Sequence, residues 1–434
     1  MDQLYVRKLL EEQDMPDNKT PQQKKALYKR SLIRRHHRIV FTAVMALIVL
    51  LFLANLLTPS KKTSDAENRS LAQRPHITAG GLRDGSFAED FDTYYSDQFV
   101  FRNQFIKLKF IGNMLLHIKE NNGVLIGKEK YQFEIPAVPD EKLEAKTIQS
   151  INEYAKASDG IETRMMIVPG SAAILKDKLP VSASVPDQVK DIKDFYSQID
   201  DGIRKIDTVK ILKQADSENL YYKTDHHWTS EGAYTVFKAA AHELGIKKPG
   251  RYNKYTVSTS FKGSLSSKSG DFIGKDTIEV YVPKSNETDY YVSYPNAQEK
   301  RASIYKPEML DVKDQYLVFF GGNHPLVEIN TTAGTGRNLL ILKDSYANAF
   351  VQFLIPYYDH IIMVDPRYYY DNVNMVVSNY GINEILYLYS ADTLFTDTSL
   401  SDALEAAADA AAEDQDQSEE AQGEETQGEE AQKE

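Results

Sequence analysis

The sequence predicts an α/β domain with a mostly parallel sheet and a β-rich insertion, set behind one N-terminal transmembrane helix. Three observations predict it. Ile39 to Leu57 is a 19-residue stretch without an ionic side chain, short apolar runs alternate with helical patterns from about residue 140, and residues 250–330 are rich in Tyr, Val, Ser, Thr and Gly.

The apolar stretch comes close to the roughly 20 residues that cross a bilayer core. It shows none of the polar striping of a soluble helix. Before it, Lys24, Lys25, Lys29, Arg30, Arg34, Arg35 and Arg38 stand without an acid, and such flanks stay cytoplasmic. The expected topology is therefore a basic cytoplasmic segment over 1–38, a single pass over 39–57 and everything later outside the cell membrane. A cleaved signal peptide is the rival reading. The stretch starts nearly forty residues in and no small-x-small pattern follows it, which favours an uncleaved anchor.

Residues 58–86, with Pro59 and Pro75 among Ser, Gly, Lys and Asp, read as a linker. Phe91, Tyr94, Tyr95, Phe99, Phe105, Leu108 and Ile111 then recur at helical spacing, so the extracellular domain is expected over 87–398. Asp140 opens a helix running to Ala157, which leads into Thr163 to Val168, an apolar run ended by Pro169-Gly170. Val209 to Leu212, Asn338 to Leu342, His360 to Val364 and Glu384 to Tyr389 look alike, and each is expected to be a buried parallel strand. Ser230 to Leu244 reads as a helix between them. The alternation Ile278-Glu279-Val280-Tyr281-Val282 suggests β-hairpins in the 250–330 insertion, placed within or over the sheet.

Composition narrows the chemistry. With no cysteine there is neither a disulfide framework nor a thiol nucleophile. Residues 401–434 hold thirteen Asp and Glu against Lys433 alone, which accounts for the whole net charge of −12; the remainder balances at 50 acids and 50 bases. A body neutral in composition implies no basic surface, and nucleic-acid binding, which needs clustered and unbalanced Lys and Arg, is poorly supported. The stretch 399–434 has almost no bulky apolar residue and reads as a disordered acidic tail.

Two segments together supply nucleophile, base and orienter. Ser345, in Leu342-Lys343-Asp344-Ser345-Tyr346-Ala347, sits between a strand and a helical pattern, a junction that exposes a side chain at the carboxyl end of a parallel sheet. A serine there serves as readily as a helix cap unless a base is near. The base is offered by Lys223-Thr224-Asp225-His226-His227-Trp228-Thr229, 118 residues upstream. On an extended backbone Asp225 and His227 share one side and His226 faces away, so Asp225 would hold the His227 tautomer that takes the Ser345 proton. Zinc is the alternative for an Asp-His-His string, but no third ligand stands at common spacing, so neither metal nor cofactor is expected. Phe320-Gly321-Gly322-Asn323 offers close backbone approach at Gly322 and an oxyanion donor at Asn323, or else an ordinary hairpin turn. Tyr346 and Arg337 are further candidates for substrate or oxyanion contact. Ser171, after Pro169-Gly170, is the rival nucleophile, and Trp228 is expected to pack and steady its loop.

Thr224 to Thr229, Lys343-Asp344-Ser345-Tyr346, Phe320 to His324, Glu67-Asn68-Arg69-Ser70-Leu71 and Gly123-Val124-Leu125-Ile126-Gly127 together resemble the bacterial DHHW family over roughly residues 65–395. That family is similar to the SGNH-hydrolase-like alginate O-acetylation proteins, in which an Asp-x-His-Trp segment precedes the nucleophilic serine. The resemblance implies a three-layer SGNH-hydrolase-like sandwich, with Ser345 as nucleophile, His227 as base and Asp225 as orienter. It also implies O-acetyl transfer to, or removal from, hydroxyls of a cell-envelope glycan or exopolysaccharide, alongside a membrane acyl-carrying partner. Here the second motif position is His226, and no carbohydrate-binding module follows the serine segment. The expected activity is a membrane-anchored O-acetyltransferase. A carbohydrate O-acetylesterase and a catalytically inactive envelope scaffold or glycan-binding protein are the alternatives.

Overall fold

The computed structural model describes residues 20–64, 69–158, 160–181, 183–217, 219–285 and 288–410. The start of the basic segment, Glu67 and Asn68 of the linker, and the acidic stretch from 411 onward lie outside the described residues. The chain divides into two compact units, one of residues 20–64 and 69–102, the other beginning at Asn103.

In the first unit, Pro21–Leu57 forms one continuous helix, α1. Thr20 starts it with a reciprocal cap, its hydroxyl accepting from the Gln23 amide while the Gln23 side chain accepts from the Thr20 amide. The basic and apolar stretches are thus one rod of about 55 Å at 1.5 Å per residue. It is long and apolar enough to cross a membrane, and its apolar window is not buried. The linker is more regular than its composition suggests. It holds a short antiparallel pair, Thr63–Ser64 with Arg69–Ser70, and a helix over Ala79–Asp84 capped by Thr78. The helix Ser86–Asp97 follows, where Phe87, Phe91 and Tyr95 stack on one another at one-turn spacing.

The second unit is a mixed α/β fold around an eight-stranded sheet. Its strands are β1 (Glu162–Val168), β2 (Arg204–Ile206), β5 (Tyr290–Tyr294), β6 (Glu299–Arg301), β7 (Leu326–Thr331), β8 (Asn338–Lys343), β9 (His360–Val364) and β10 (Glu384–Ser390). Between β2 and β5, strands β3 (Tyr252–Phe261) and β4 (Asp276–Pro283) form a separate two-stranded hairpin. The order across the sheet is β6-β5-β7-β9-β8-β10-β1-β2. From β9 to β2 every pairing is parallel, and from β6 to β9 every pairing is antiparallel. The sheet is therefore mixed rather than mostly parallel. The reason is the insertion, which contributes its own strands β5, β6 and β7 to one edge.

Side-chain alternation explains the layering. Leu339 and Ile341 of β8 enter one apolar core while Leu340 and Leu342 enter another on the opposite face. The first core is covered by helix α2 (Ser230–Ala240) through Ala233, Val236, Phe237 and Ala240. The second is covered by Glu141–Ala157, whose Asp140 caps two backbone amides, and by Gln188–Gln198. Strands sealed on both faces read as unbroken apolar runs, which is why β1, β8, β9 and β10 were legible.

Two elements depart from expectation. Val209 to Leu212 is part of a helix, Thr208–Lys213, begun by the Asp207 side chain accepting from Lys210, and the strand is the preceding Arg204–Ile206. A four-residue apolar run does not distinguish the two, and the capping aspartate decides it. The second is the tail: residues 399–410 are helical, and Leu400, Leu404 and Ala407 at one-turn spacing are buried in the second core.

Candidate active site

Ser345 stands in the turn after β8, at the carboxyl end of the parallel half of the sheet. Asp344 builds that turn. One of its carboxylate oxygens accepts from the Tyr346 amide at 2.9 Å and the other from the Ser390 amide at 2.9 Å, pinning the turn to the end of β10. Asp344 is thus the structural member of the Asp-Ser pair.

The loop before α2 is closed by an antiparallel bridge between Tyr221 and Trp228. Trp228 is fully buried, stacks on Phe350 and donates its indole N–H to the Tyr346 carbonyl at 3.0 Å. Tyr346 returns the link, its hydroxyl donating to the His226 carbonyl at 2.5 Å. Loop and serine turn are therefore clamped together from both sides.

Within the clamp the three expected groups converge. The Ser345 hydroxyl lies 2.7 Å from His227 Nε2, and His227 Nδ1 lies 2.6 Å from Asp225 Oδ1. Asp225 also accepts from the His227 amide at 3.0 Å and, through Oδ2, from the Ser264 amide at 2.8 Å. Gly263 is needed for that last contact, because a Cβ there would fall 2.2 Å from the Asp225 Cβ. Burial opposes charge on Asp225, yet the two imidazoles, the His227 hydrogen bond and the Ser264 amide outweigh it and hold the carboxyl well below the usual range. Burial, followed by the neighbouring His226, pulls His227 below the ordinary imidazole value in spite of Asp225. An ionised Asp225 beside a neutral His227 leaves Nδ1 protonated and Nε2 open to the serine proton.

His226 does not face away. Its ring lies 3.9 Å from that of His227, because the loop bends where an extended strand was expected, and its Nδ1 meets the Ser264 hydroxyl at 2.7 Å. On the other side Tyr316 stacks on His227 at 4.0 Å and 11°, and its hydroxyl donates to the Ser345 carbonyl at 3.2 Å. The base is thus held between two rings. Asp225, His226 and His227 bring potential ligand atoms within 4.8 Å of one another. Both His227 nitrogens are already engaged, so a metal there would have to displace Asp225 or Ser345.

Asn323 is placed by a turn in which Phe320, Gly321 and Gly322 all have positive φ, with Gly322 at 109°. Lys343, almost wholly buried, donates to Asn323 Oδ1 at 3.0 Å and to Asn348 Oδ1 at 2.9 Å, and Asn348 Nδ2 donates to Asn323 Oδ1 at 3.1 Å. An ammonium only donates, so this contact fixes which end of the Asn323 amide is oxygen. Its amino end is left without a protein acceptor among the described residues, as is the Ser345 amide. Asp365 lies 3.5 Å from Lys343 and is held by Arg367 in a two-point contact.

The other candidates serve elsewhere. Gly322 shapes the turn, with its amide spent on the Phe319 carbonyl. Tyr346 has both its amide and its hydroxyl committed internally. Arg337 precedes β8 and is separated from the Ser345 turn by that six-residue strand, about 20 Å at roughly 3.3 Å per residue. There it binds Glu384 and the Leu244 carbonyl. Ser171 begins a four-residue helix after β1 and has no imidazole partner among the described residues. Tyr316, Gly263, Ser264, Lys343, Asn348 and Asp365 also build the site, and local sequence pattern does not single them out. Only Lys343 carried a signal, as a lysine ending an otherwise apolar strand.

Residues 141–364 match a family model described as DHHW protein. The probable alginate O-acetylase AlgJ of Pseudomonas fluorescens is 25% identical over 175 residues, 38% of this chain and 44% of that protein. The chain therefore spans less than half the length of that curated relative. A DHHW family protein from Eubacterium siraeum superposes with a TM-score of 0.56 at 24% identity, over 65% of this chain and 95% of the other. PatB1 of Bacillus cereus, solved with a sulfonyl adduct, gives 0.54 at 19% identity over 64% and 98%. Likenesses at these identities speak for a shared fold.

Proposed function

The chain belongs to the DHHW protein family, and from that premise we propose that it is a serine-dependent O-acetyltransferase acting on hydroxyls of a cell-envelope or extracellular glycan. The observation that carries the proposal is the unbroken path from Ser345 through His227 to Asp225, at 2.7 Å and 2.6 Å. The likeness to an alginate O-acetylase supports the acetyl group and the glycan, and the three-layer arrangement fits an SGNH-like hydrolase fold.

In this mechanism Ser345 Oγ bonds to the carbonyl carbon of an acetyl donor while its proton passes to His227 Nε2. Charge developing on the carbonyl oxygen is met by the Ser345 amide and the amino end of Asn323. The donor's leaving group departs with the proton from His227, leaving acetyl-Ser345. A glycan hydroxyl then gives its proton to His227 and attacks the acetyl carbon, and the serine oxygen leaves carrying that proton. Asp225 holds the imidazole in one tautomer and offsets its transient positive charge.

Helix α1 serves as a single-pass anchor in this reading, with the basic segment cytoplasmic and the catalytic unit outside the cell. An acetyl donor reaches such a site from a membrane acyl-carrying partner. The deciding experiment gives the full chain in detergent a chromogenic acetyl ester, with and without oligosaccharide acceptors. Acetate release that is lost in Ser345→Ala and His227→Ala, with acetyl mass increments on the acceptor, is the expected result. Release without acetylated acceptor makes the protein an esterase. Equal rates in wild type and both variants remove the enzyme reading. A sulfonyl fluoride should leave its sulfonyl group on the Ser345 peptide and on no other, fluoride departing.

A further inference from the structure

The helix Arg102–Leu115 has two apolar sides, and one of them packs within the second unit. Phe110 is buried and meets the Phe272 ring edge-on at 6.4 Å, while Gly270 leaves room for Ile106, whose Cγ2 would lie 2.4 Å from a Cβ there. Asn113 completes that side by donating to Asn121 at 2.6 Å. Residues three and four apart share one side of a helix, so Ile106, Phe110 and Asn113 together form the seat.

The opposite side is turned outward. Phe105, Leu108, Ile111 and Leu115 recur on it at the same spacing and Leu116 follows, all of them exposed, Leu108 by 63% and Leu115 by 75%. A helix packed on a soluble domain shows polar residues there, and an apolar row left outward marks a surface that meets something else.

Charge selects what it meets. From Gln98 to Lys119 the chain has no Asp or Glu and carries Arg102, Lys107, Lys109 and Lys119. Lys107 and Lys109 are exposed and border the row, one on each side, and neither pairs with a carboxylate among the described residues. A protein groove would have to be apolar at its floor and acidic on both rims to match. An anionic bilayer offers both in one surface, and α1, long and apolar enough to cross one, keeps it within reach.

We propose that Arg102–Leu115 is an interfacial helix that lays Phe105, Leu108, Ile111 and Leu115 into an anionic phospholipid surface and seats the second unit on it. The inference rests on the reading of α1 as a membrane anchor. Gly270 and Phe272, on which the helix packs, directly follow the helix Ser264–Ser269, whose first residue binds Asp225 through its amide and His226 through its hydroxyl. The bilayer is thus close behind the segment that steadies the catalytic orienter, and a donor carried in the membrane meets a catalytic unit held in one orientation.

The sequence has no cysteine, so Leu108→Cys, Leu115→Cys and Gln149→Cys each give the full-length protein a single thiol for a fluorophore. Gln149, exposed on the helix Glu141–Ala157 that covers the second core, is the reference. The labelled proteins are reconstituted into vesicles of phosphatidylcholine and phosphatidylglycerol, with or without bromine on the acyl chains. An interfacial helix sinks roughly 5–10 Å into the headgroup boundary, so brominated lipid should quench the labels at 108 and 115 at least about twofold and leave the label at 149 unchanged. Quenching should weaken in phosphatidylcholine alone and in Lys107→Glu with Lys109→Glu. Leu108→Glu with Leu115→Glu should keep the wild-type Tm in detergent, as an outward row requires.

The proposal is overturned by unquenched labels at 108 and 115, by equal quenching at 149, or by indifference to phosphatidylglycerol. A fall in Tm overturns it as well, since the row would then be packed against protein, whether another part of this chain or a second copy. Alkaline extraction of the chain from the same vesicles would sink the anchor reading alone, because quenching reports on the helix in either case.

Discussion

The two ends of strand β8 carry buried ionic clusters of opposite character. At its amino end Glu384 is bound by Arg337 through both carboxylate oxygens and by Arg164, Arg164 also pairs with Glu162, and Arg337 packs over the Tyr358 ring. At its carboxyl end Ser345, His227 and Asp225 form a chain that stops at a hydroxyl, and the Asn323 amino group and the Ser345 amide have no protein acceptor among the described residues. The first cluster spends its charges and donors on itself. The second leaves donors and a nucleophile for something that is not part of the protein. Buried polar groups are costly unless satisfied, so a cluster kept incomplete is the one to read as functional.

Removing the charge that orients the base breaks the carboxyl-end cluster most directly. Asp225→Asn should lower acetyl-ester turnover by about 10⁴-fold while the protein remains folded, because the amide no longer accepts from Nδ1 and the imidazole takes the wrong tautomer. Turnover within tenfold of wild type would show that Asp225 is not an orienter. A smaller loss is expected from Asn323→Ala, about 10²- to 10³-fold in kcat with KM little changed, as for removal of one oxyanion donor. If KM rises and kcat stays, Asn323 binds ground-state substrate instead.

The amino-end cluster should respond in the opposite manner. Glu384→Gln takes the carboxylate from Arg337 and leaves Arg164 with Glu162 alone, a change that costs up to about 3–5 kcal/mol when one partner of a buried pair is removed. Its Tm should fall, while turnover per folded molecule stays near wild type. A selective loss of turnover at unchanged Tm would dissolve the contrast between the two ends.

The smallest effect is in pH. Because burial and His226 lower His227, turnover should decline only as pH falls through a midpoint below the ordinary imidazole value of about 6.5. A midpoint above 7 would mean that Asp225 raises the imidazole more than burial lowers it.

Much of the fold was legible because its central strands are sealed on both faces. Leu339 to Leu342 and Ile361 to Val364 are apolar without interruption, and Asp140 announces its helix by an N-terminal cap. The run Val209 to Leu212 was illegible for lack of length, and residues 399–410 because a helix of alanines with leucines only at 400 and 404 resembles a solvated tail until a core is there to receive it. The direction of β5, β6 and β7 depends on pairings between segments far apart in the chain, which local pattern does not encode.

In the candidate site, the identities of nucleophile, base and orienter belong to the sequence, since only a few side chains can do this chemistry and Asp225, His227 and Ser345 stand in telling contexts. So do the apolar helix and the acidity of the last 34 residues. Tertiary structure alone decided that His226 lies against His227, that Tyr316 covers the other face of the base, and that Arg337 is a strut at the far end of the strand. It also decided that Lys343 turns the Asn323 amide outward. The physical reason is that an amide or imidazole is oriented by which partners lie within about 3 Å, and those partners come from segments that the linear order keeps apart.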